Sequence, residues 1–321
     1  MNKPSLLLAC PLPNIDLPEL ARSFTLIGAG DRRMERDEMV ALLPNCQAMI
    51  CNTSQPVDRA VLDAGPILRI ISNFGVGYNH IDIAYAAQKG IAVTNTPDIL
   101  TDATADLGFA LILATCRRVG EGDRYCREGK FTGFEASLFL GQQVYGRTLG
   151  IVGCGRIGQA VARRASGFSM KCLYHNRKPL EKSLEQERGL QYADFNSLLE
   201  ISDIILISTP LTPETRHLFT LEQFQRMKRS SVLVNISRGP VVKEADLVQA
   251  LEKGLIWGAG LDVYEDEPRF SAGLTDCPRT VLLPHIGSAS LQTRSAMSAM
   301  TIQSIKDLFD GKVLAHCVMP V

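Results

Sequence analysis

Short runs of apolar residues recur through the first hundred positions, separated by stretches with apolar residues at helical spacing. The runs Ser5–Cys10, Thr25–Gly28, Ala48–Asn52, Ile70–Asn73 and Ala92–Asn95 predict strands, and Arg36–Leu43, Val57–Ala64 and Ile81–Gln88 predict helices between them. Near-continuous apolar strands alternating with helices point to a parallel sheet covered on both faces. A long helical pattern follows from Leu100 to about Glu121, with Leu107, Ala110, Leu111 and Ala114 on one face. Gly129 to Arg147, carrying Phe131, Phe134 and Phe139, reads as an extended arm. A second series then begins, with strands at Leu149–Gly153, Lys171–Asn176, Ile204–Ser208, Val232–Ile236, Gly258–Asp262 and Val281–Leu283. Helices fit at Ile157–Ser166, Asn196–Ile201, Leu221–Met227 and Glu244–Lys253, and a last one runs from about Ser290 to Phe309.

Two α/β series in 321 residues suit two domains. The last helix follows the second series with little chain after it, so it must dock on something already built. The expected architecture is two doubly wound, parallel-sheet (Rossmann-like) domains, one inserted into the other. The outer domain takes residues 1–98 and 287–321, and the inserted one takes 99–286 with an arm at about 120–147. Lys+Arg and Asp+Glu balance at 34 each, which gives no basic tail or patch for nucleic acid or a membrane surface. No apolar run approaches transmembrane length. Nine scattered cysteines without a CxxC or Cys/His cluster suit reduced thiols in a cytoplasmic protein and no metal site. Cys154, inside a glycine loop, reads as a small buried filler, with a redox role as the alternative.

That loop is Gly153-Cys154-Gly155-Arg156-Ile157-Gly158, between a strand and a helix. Gly153 permits a tight turn, Gly155 lets backbone amides approach a pyrophosphate, and Gly158 lets helix and strand pack closely. The helix start directs free N–H groups at the phosphates. This placement identifies a dinucleotide site more firmly than the glycines alone. At the end of the second strand an acidic residue would bond the ribose 2′-hydroxyl of NAD. Here Asn176 stands there, followed by Arg177 and Lys178, a combination that favours the 2′-phosphate of NADP(H) and leaves NAD(H) possible.

Three further strand ends carry charge: Asn235-Ile236-Ser237-Arg238, the acidic stretch Asp262 to Glu267, and Pro284-His285. In one parallel sheet all three face one rim. Hydride transfer to a ketone needs a proton donor, which His285 can be. A neighbouring carboxylate favours the charged imidazole and orients it. Arg238 can orient a substrate carboxylate and stabilise a developing alkoxide.

With these segments and Asn73-Phe74-Gly75-Val76-Gly77-Tyr78-Asn79-His80-Ile81-Asp82 in their order and spacing, the chain resembles the D-isomer-specific 2-hydroxyacid dehydrogenase family over nearly its whole length. The resemblance makes the inserted domain the dinucleotide-binding one and the outer one the substrate domain. It implies catalytic roles for Arg238, Glu267 and His285, and a substrate-carboxylate cradle on the backbone of Val76 and Gly77. It places Thr104, Arg156, Ile157, Thr209, Pro210, Ile236 and Asp262 at the cofactor. Asn176-Arg177 and Asn95 to Asp102 look most like the glyoxylate/hydroxypyruvate reductases. The resemblance implies reduction of a small 2-keto acid by NADPH and a homodimer through the long helix and arm. Many members carry arm tryptophans where Phe131 and Phe134 stand, which leaves narrow substrate specificity open.

Asn52, Thr53 and Ser54 end a strand and could line a small polar substrate pocket. His175 could touch the adenosine end of a cofactor. His80, His217 and Arg294 read more simply as packing or surface residues. The same machinery could serve phenylpyruvate-type keto acids, pyruvate/D-lactate or phosphite. A nucleotide-sensing scaffold is the reading from another class, and fold alone does not exclude it.

Overall fold

The computed structural model describes residues 3–28 and 30–318. The chain divides into two compact units, Met1–Leu100 with Ser288–Val321, and Thr101–Gly287. The first unit opens with β1 (Ser5–Leu8), α1 (Leu17–Ser23), β2 (Thr25–Ile27), α2 (Arg36–Leu42), β3 (Ala48–Asn52), α3 (Arg59–Asp63), β4 (Ile70–Phe74), α4 (Ile83–Gln88) and β5 (Ala92–Thr94). Its five strands are parallel in the order β2-β1-β3-β4-β5. The apolar pattern does not predict α1, which spans only seven residues. Its start is set by Asp16, which accepts the Glu19 amide at 3.0 Å, with proline in the first turn. Asp58 and Asp82 likewise cap α3 and α4, so both begin later than their apolar residues suggest.

The second unit follows as α5 (Thr101–Cys116), α6 (Val119–Arg127), β6 (Thr148–Val152), α7 (Arg156–Ser166), β7 (Lys171–His175), α8 (Lys182–Arg188), β8 (Leu190–Tyr192), α9 (Phe195–Ile201), β9 (Ile204–Ile207), α10 (Leu221–Arg226), β10 (Val232–Asn235), α11 (Glu244–Glu252), β11 (Gly258–Leu261) and β12 (Thr280–Leu282). Seven parallel strands lie in the order β12-β11-β10-β9-β6-β7-β8. The order reverses between β6 and β9, the topological switch point at which open α/β sheets bind ligands. Two apolar cores, one around Tyr174 and Leu206 and the other around Phe219 and Leu233, cover the sheet. The short α8 and β8 are further elements that the apolar pattern does not predict; β8 holds the sheet edge. The chain then returns to the first unit as α12 (Leu291–Phe309), which packs on β4, where Ser72 Oγ donates to the Thr301 carbonyl at 3.0 Å.

The single long helix expected from Leu100 to about Glu121 is two helices. α5 stops at Cys116, and Arg118 adopts φ 55° before α6 begins. Neither glycine nor proline marks the break. The separation follows burial: eight residues of α5 are buried and none of α6 is. Arg118 is held by Glu121 at 2.7 Å and lies 4.9 Å over the Phe139 ring. The freed Cys116 carbonyl accepts the Gln142 amide at 2.8 Å, as the arm crosses the helix end. A Cβ on Gly141 would stand 2.1 Å from that carbonyl oxygen, so the crossing needs glycine. Small residues also let α5 lie on the sheet: a Cβ on Gly260 would come within 2.6 Å of Thr115 Oγ1.

Candidate active site

Because all seven strands are parallel, the loops after β6, β9, β10, β11 and β12 leave from one edge of the sheet. The glycine loop follows β6. Gly153 has φ 89°, and a Cβ there would stand 2.5 Å from the Thr209 amide after β9. Only glycine allows that approach across the switch point. A Cβ on Gly158 would lie 2.9 Å from the Gly153 carbonyl oxygen, so helix and strand meet closely there. Gly155 has open space where a Cβ would be, and as N-cap it adds no side-chain cap to the first-turn amides of α7. A backbone left open at a helix start fits a pyrophosphate.

Asn176 does not stand free at the end of β7. Its Oδ1 accepts the Cys154 amide at 2.6 Å, so its side chain shapes the glycine loop. Arg177 acts electrostatically on Glu214, whose carboxyl the Thr212 hydroxyl and that guanidinium hold below its ordinary value. Cys154 is buried, and burial pushes its thiol up to about 12, which is inert chemistry and matches the filler reading. Pro210 accepts the Thr215 hydroxyl at 2.7 Å. Arg156 opens α7, and Ile157 packs partly into the core. The Ile236 side chain is also core, since a Cβ on Gly108 of α5 would touch its Cδ1 at 2.8 Å. Its amide donates to the Ile207 carbonyl at 3.2 Å, so only its own carbonyl is left for a cofactor.

Arg238, Glu267 and His285 follow three adjacent strands, β10, β11 and β12. His285 Nδ1 donates to Glu267 Oε2 at 2.9 Å, and Glu267 Oε1 accepts the Tyr264 amide at 3.1 Å. Burial pushes the Glu267 carboxyl up, but the His285 hydrogen bond and charge, the Tyr264 amide and Arg238 outweigh it, so it lies below its ordinary value. His285 has φ 54°, a left-handed conformation that costs energy in a residue with a side chain. Asp262 stabilises that turn: its two oxygens accept the Ile286 amide at 2.7 Å and the Gly287 amide at 2.8 Å. Burial raises the Asp262 carboxyl despite those amides and the charge of His285. A Cβ on Gly287 would lie 3.2 Å from Asp262 Oδ2 and 3.3 Å from Thr104 Cγ2, which gathers Thr104, Asp262 and the His285 turn.

The Arg238 loop is built by Asn235, which the sequence reading left without a role. Its Oδ1 accepts the Ser237 amide and hydroxyl at 3.0 and 2.8 Å, and its Nδ2 donates to the Arg238 carbonyl at 3.1 Å. Burial lowers the Arg238 guanidinium and the Glu267 charge opposes that; an arginine stays charged throughout. A Cβ on Gly239 would overlap the Tyr264 backbone at 1.8 Å, so the Arg238 and Glu267 loops lie directly against each other.

Asn52, Val76 and Gly77 belong to the other unit. The Asn52 carboxamide oxygen accepts the Ser54 amide at 3.0 Å and shapes its own turn. The Val76 carbonyl accepts Asn95 Nδ2 at 2.8 Å, and the Gly77 carbonyl accepts Asn73 Nδ2 at 2.9 Å. His175 is committed to packing, with Nδ1 on the Ala193 carbonyl and its ring against Tyr192 and Phe195. His217 pairs with Glu265 at 2.5 Å, and Arg294 lies near the start of α12. Among the described residues no cluster of His, Cys, Asp and Glu could hold a metal, and no helix is long and apolar enough to cross a membrane.

A glycine loop at the switch point of a parallel sheet, with an arginine and a histidine–carboxylate pair on the same edge, defines a nucleotide-dependent oxidoreductase. The sequence model described as "D-isomer specific 2-hydroxyacid dehydrogenase, NAD binding domain" matches residues 109–287. The chain is similar to the glyoxylate reductase of Pyrococcus horikoshii, with 42% identity covering 97% of this chain and 94% of that one. It is 44% identical to the glyoxylate reductase of Korarchaeum cryptofilum, covering 98% and 96%. The crystal structure of the NADPH-dependent glyoxylate/hydroxypyruvate reductase of Sinorhizobium meliloti with NADP and malonate superposes with a TM-score of 0.86 at 34% identity, covering 99% of this chain and 97% of that one. The protein therefore belongs to the D-isomer-specific 2-hydroxyacid dehydrogenase family and is an NAD(P)-dependent oxidoreductase.

Proposed function

We propose that the protein reduces small 2-keto acids, glyoxylate and hydroxypyruvate first among them, to glycolate and D-glycerate, with NADPH as the preferred cofactor. The observation that carries this reading is the His285–Glu267 pair at 2.9 Å, one strand from the Arg238 loop. The bound cofactor supplies the hydride. The rest falls to this chain's residues. Arg238 orients the substrate by its carboxylate and stabilises the oxygen as it gains charge. His285, held through Nδ1 by Glu267, delivers a proton to that oxygen from Nε2. The amides of Val76 and Gly77 are assigned to the substrate carboxylate. Gly153, Gly155, Arg156, Ile157 and Gly158 are assigned to the pyrophosphate, with Thr104, Thr209, Pro210, Asp262 and the Ile236 backbone along the rest of the cofactor.

The cofactor preference rests on charge. No carboxylate stands at position 176, and Arg177 and Lys178 follow it. The Sinorhizobium relative is described as NADPH-dependent. A homodimer through α5 and the arm is part of the same reading, supported by exposed Phe131, Phe134, Leu140 and Tyr145.

The test is oxidation of NADPH and of NADH with glyoxylate, hydroxypyruvate, pyruvate and phenylpyruvate. Fast NADPH oxidation with the first two is expected. An NADH preference would overturn the cofactor assignment alone, and turnover of phenylpyruvate only would overturn the substrate assignment. A sedimentation profile showing a monomer would remove the dimer.

A further inference from the structure

The loop after β4 has its carbonyl groups tied down in succession. Gly75 O accepts Asn73 Nδ2 at 3.0 Å and the Thr96 amide at 3.1 Å. Val76 O accepts Asn95 Nδ2 at 2.8 Å, and Gly77 O accepts Asn73 Nδ2 at 2.9 Å. A trans peptide unit carries its C=O and the following N–H on opposite edges. Holding carbonyls 75, 76 and 77 toward these donors therefore turns the amides of Val76, Gly77 and Tyr78 the other way. None of those three amides donates a hydrogen bond within the described residues. Successive N–H groups turned to one side make an anion-binding concavity.

The Asn73 side chain supplies a second, independent observation. It is fully buried, and its Oδ1 has no hydrogen-bond partner. A buried amide oxygen without a partner is costly, and an apolar side chain of similar size would avoid that cost. What Asn73 provides in return is the pair of N–H bonds to the two carbonyls.

We propose that Asn73 and Asn95 are positioning residues that hold the amides of Val76, Gly77 and Tyr78 as a three-donor cradle for the carboxylate of a small 2-keto acid. The inference rests on the assignment of the substrate carboxylate to Val76 and Gly77, and adds the third donor and the two side chains that orient all three. A carboxylate has lone pairs enough for three donors, and bonds to an ionised acceptor are the strong ones. This loop then contributes to selectivity for an acid over a neutral carbonyl compound.

The test uses full-length protein labelled with ¹⁵N-tyrosine, the non-reducible anion oxamate as probe, and the Asn95→Ala variant, because Asn95 is only half-buried while removal of Asn73 threatens folding. In the unsubstituted protein oxamate is expected to move the Tyr78 amide proton downfield. In Asn95→Ala the KM for glyoxylate and the inhibition constant for oxamate should rise together by about tenfold, the scale of one hydrogen bond. The kcat and the NADPH affinity should hold, a split that a general loss of structure would not give. A protein that turns over glyoxylate while its Tyr78 amide ignores oxamate refutes the third donor. Unchanged KM and oxamate inhibition in Asn95→Ala refute the positioning role, and the reductase reading survives both results. Absence of both turnover and oxamate binding overturns the reductase reading and this inference together.

Discussion

Glu267→Gln isolates what the carboxylate does for His285. The substitution keeps the volume and leaves an oxygen for the Tyr264 amide, which Glu267 accepts at 3.1 Å. It removes the negative charge 2.9 Å from His285 Nδ1. A charge-assisted hydrogen bond contributes about 1.5–3 kcal/mol. The two side chains keep 27% and 32% exposure, so solvent screening places this pair at the low end of that range. The loss falls on the proton-bearing imidazole, the state that delivers the proton, so about 1.5–2 kcal/mol should appear in the barrier. That predicts a fall in kcat/KM for keto-acid reduction of about 10–30-fold. NADPH affinity, measured by fluorescence titration, should stay within twofold. The assay is steady-state NADPH oxidation by the variant and by His285→Ala, which should lose far more. Turnover by Glu267→Gln within twofold of the unsubstituted protein, with its fold intact by circular dichroism, would refute the reasoning.

Gly239→Ala should be destabilising by about 3 kcal/mol, since its Cβ would overlap the Tyr264 backbone at 1.8 Å. Calorimetry should show a drop in Tm of roughly 6–12 °C, and an unchanged Tm would contradict the contact. Asn176→Asp keeps an acceptor for the Cys154 amide but places a charge where the 2′-phosphate is assigned. Like charges a few ångströms apart repel by about 1–4 kcal/mol, so the NADPH/NADH ratio of kcat/KM should swing at least about fivefold toward NADH. A constant ratio would remove position 176 from cofactor selection. Asp203 is pushed up by burial, but Lys228 at 2.8 Å and the Thr148 amide at 3.0 Å hold it below its ordinary value. A depressed carboxyl stabilises the fold above its unfolded pKa, and that stability is lost as pH falls through the folded pKa. Asp203→Asn should therefore lose stability at neutral pH and flatten the acid limb in urea melts, and parallel curves would count against the pairing.

The strands were legible because β3, β6, β9 and β10 are buried along their length and read as apolar runs. Arg238 and His285 were legible because a parallel sheet sends every strand end to one edge, so position after a strand placed them beside the acidic stretch Asp262 to Glu267. The choice of Glu267 within that stretch came from the family resemblance. Elements with few apolar residues were not: α1 (LPELARS) buries only Leu20, α8 (KSLEQER) is mostly charged, and β8 (LQY) has no apolar run. The break at Arg118 was hidden because helical periodicity does not report whether the next turn has anything to pack against.

Side-chain assignments divided along the same line. The sequence determined that Gly153 and Gly158 had to be glycine, because a residue without a Cβ leaves its mark in the chain itself. It also determined residue type at the candidate site, since proton and anion chemistry admit few side chains. Only the tertiary structure decided partnership. It committed Asn176 to the Cys154 amide, the Ile236 side chain to Gly108, His175 to Tyr192 and Phe195, and Asp262 to the turn at His285. It also gave Asn235, Asn73 and Asn95 their hydrogen bonds. The physical reason is that a hydrogen bond depends on an approach of about 3 Å between groups often far apart along the chain, and no local pattern records that distance.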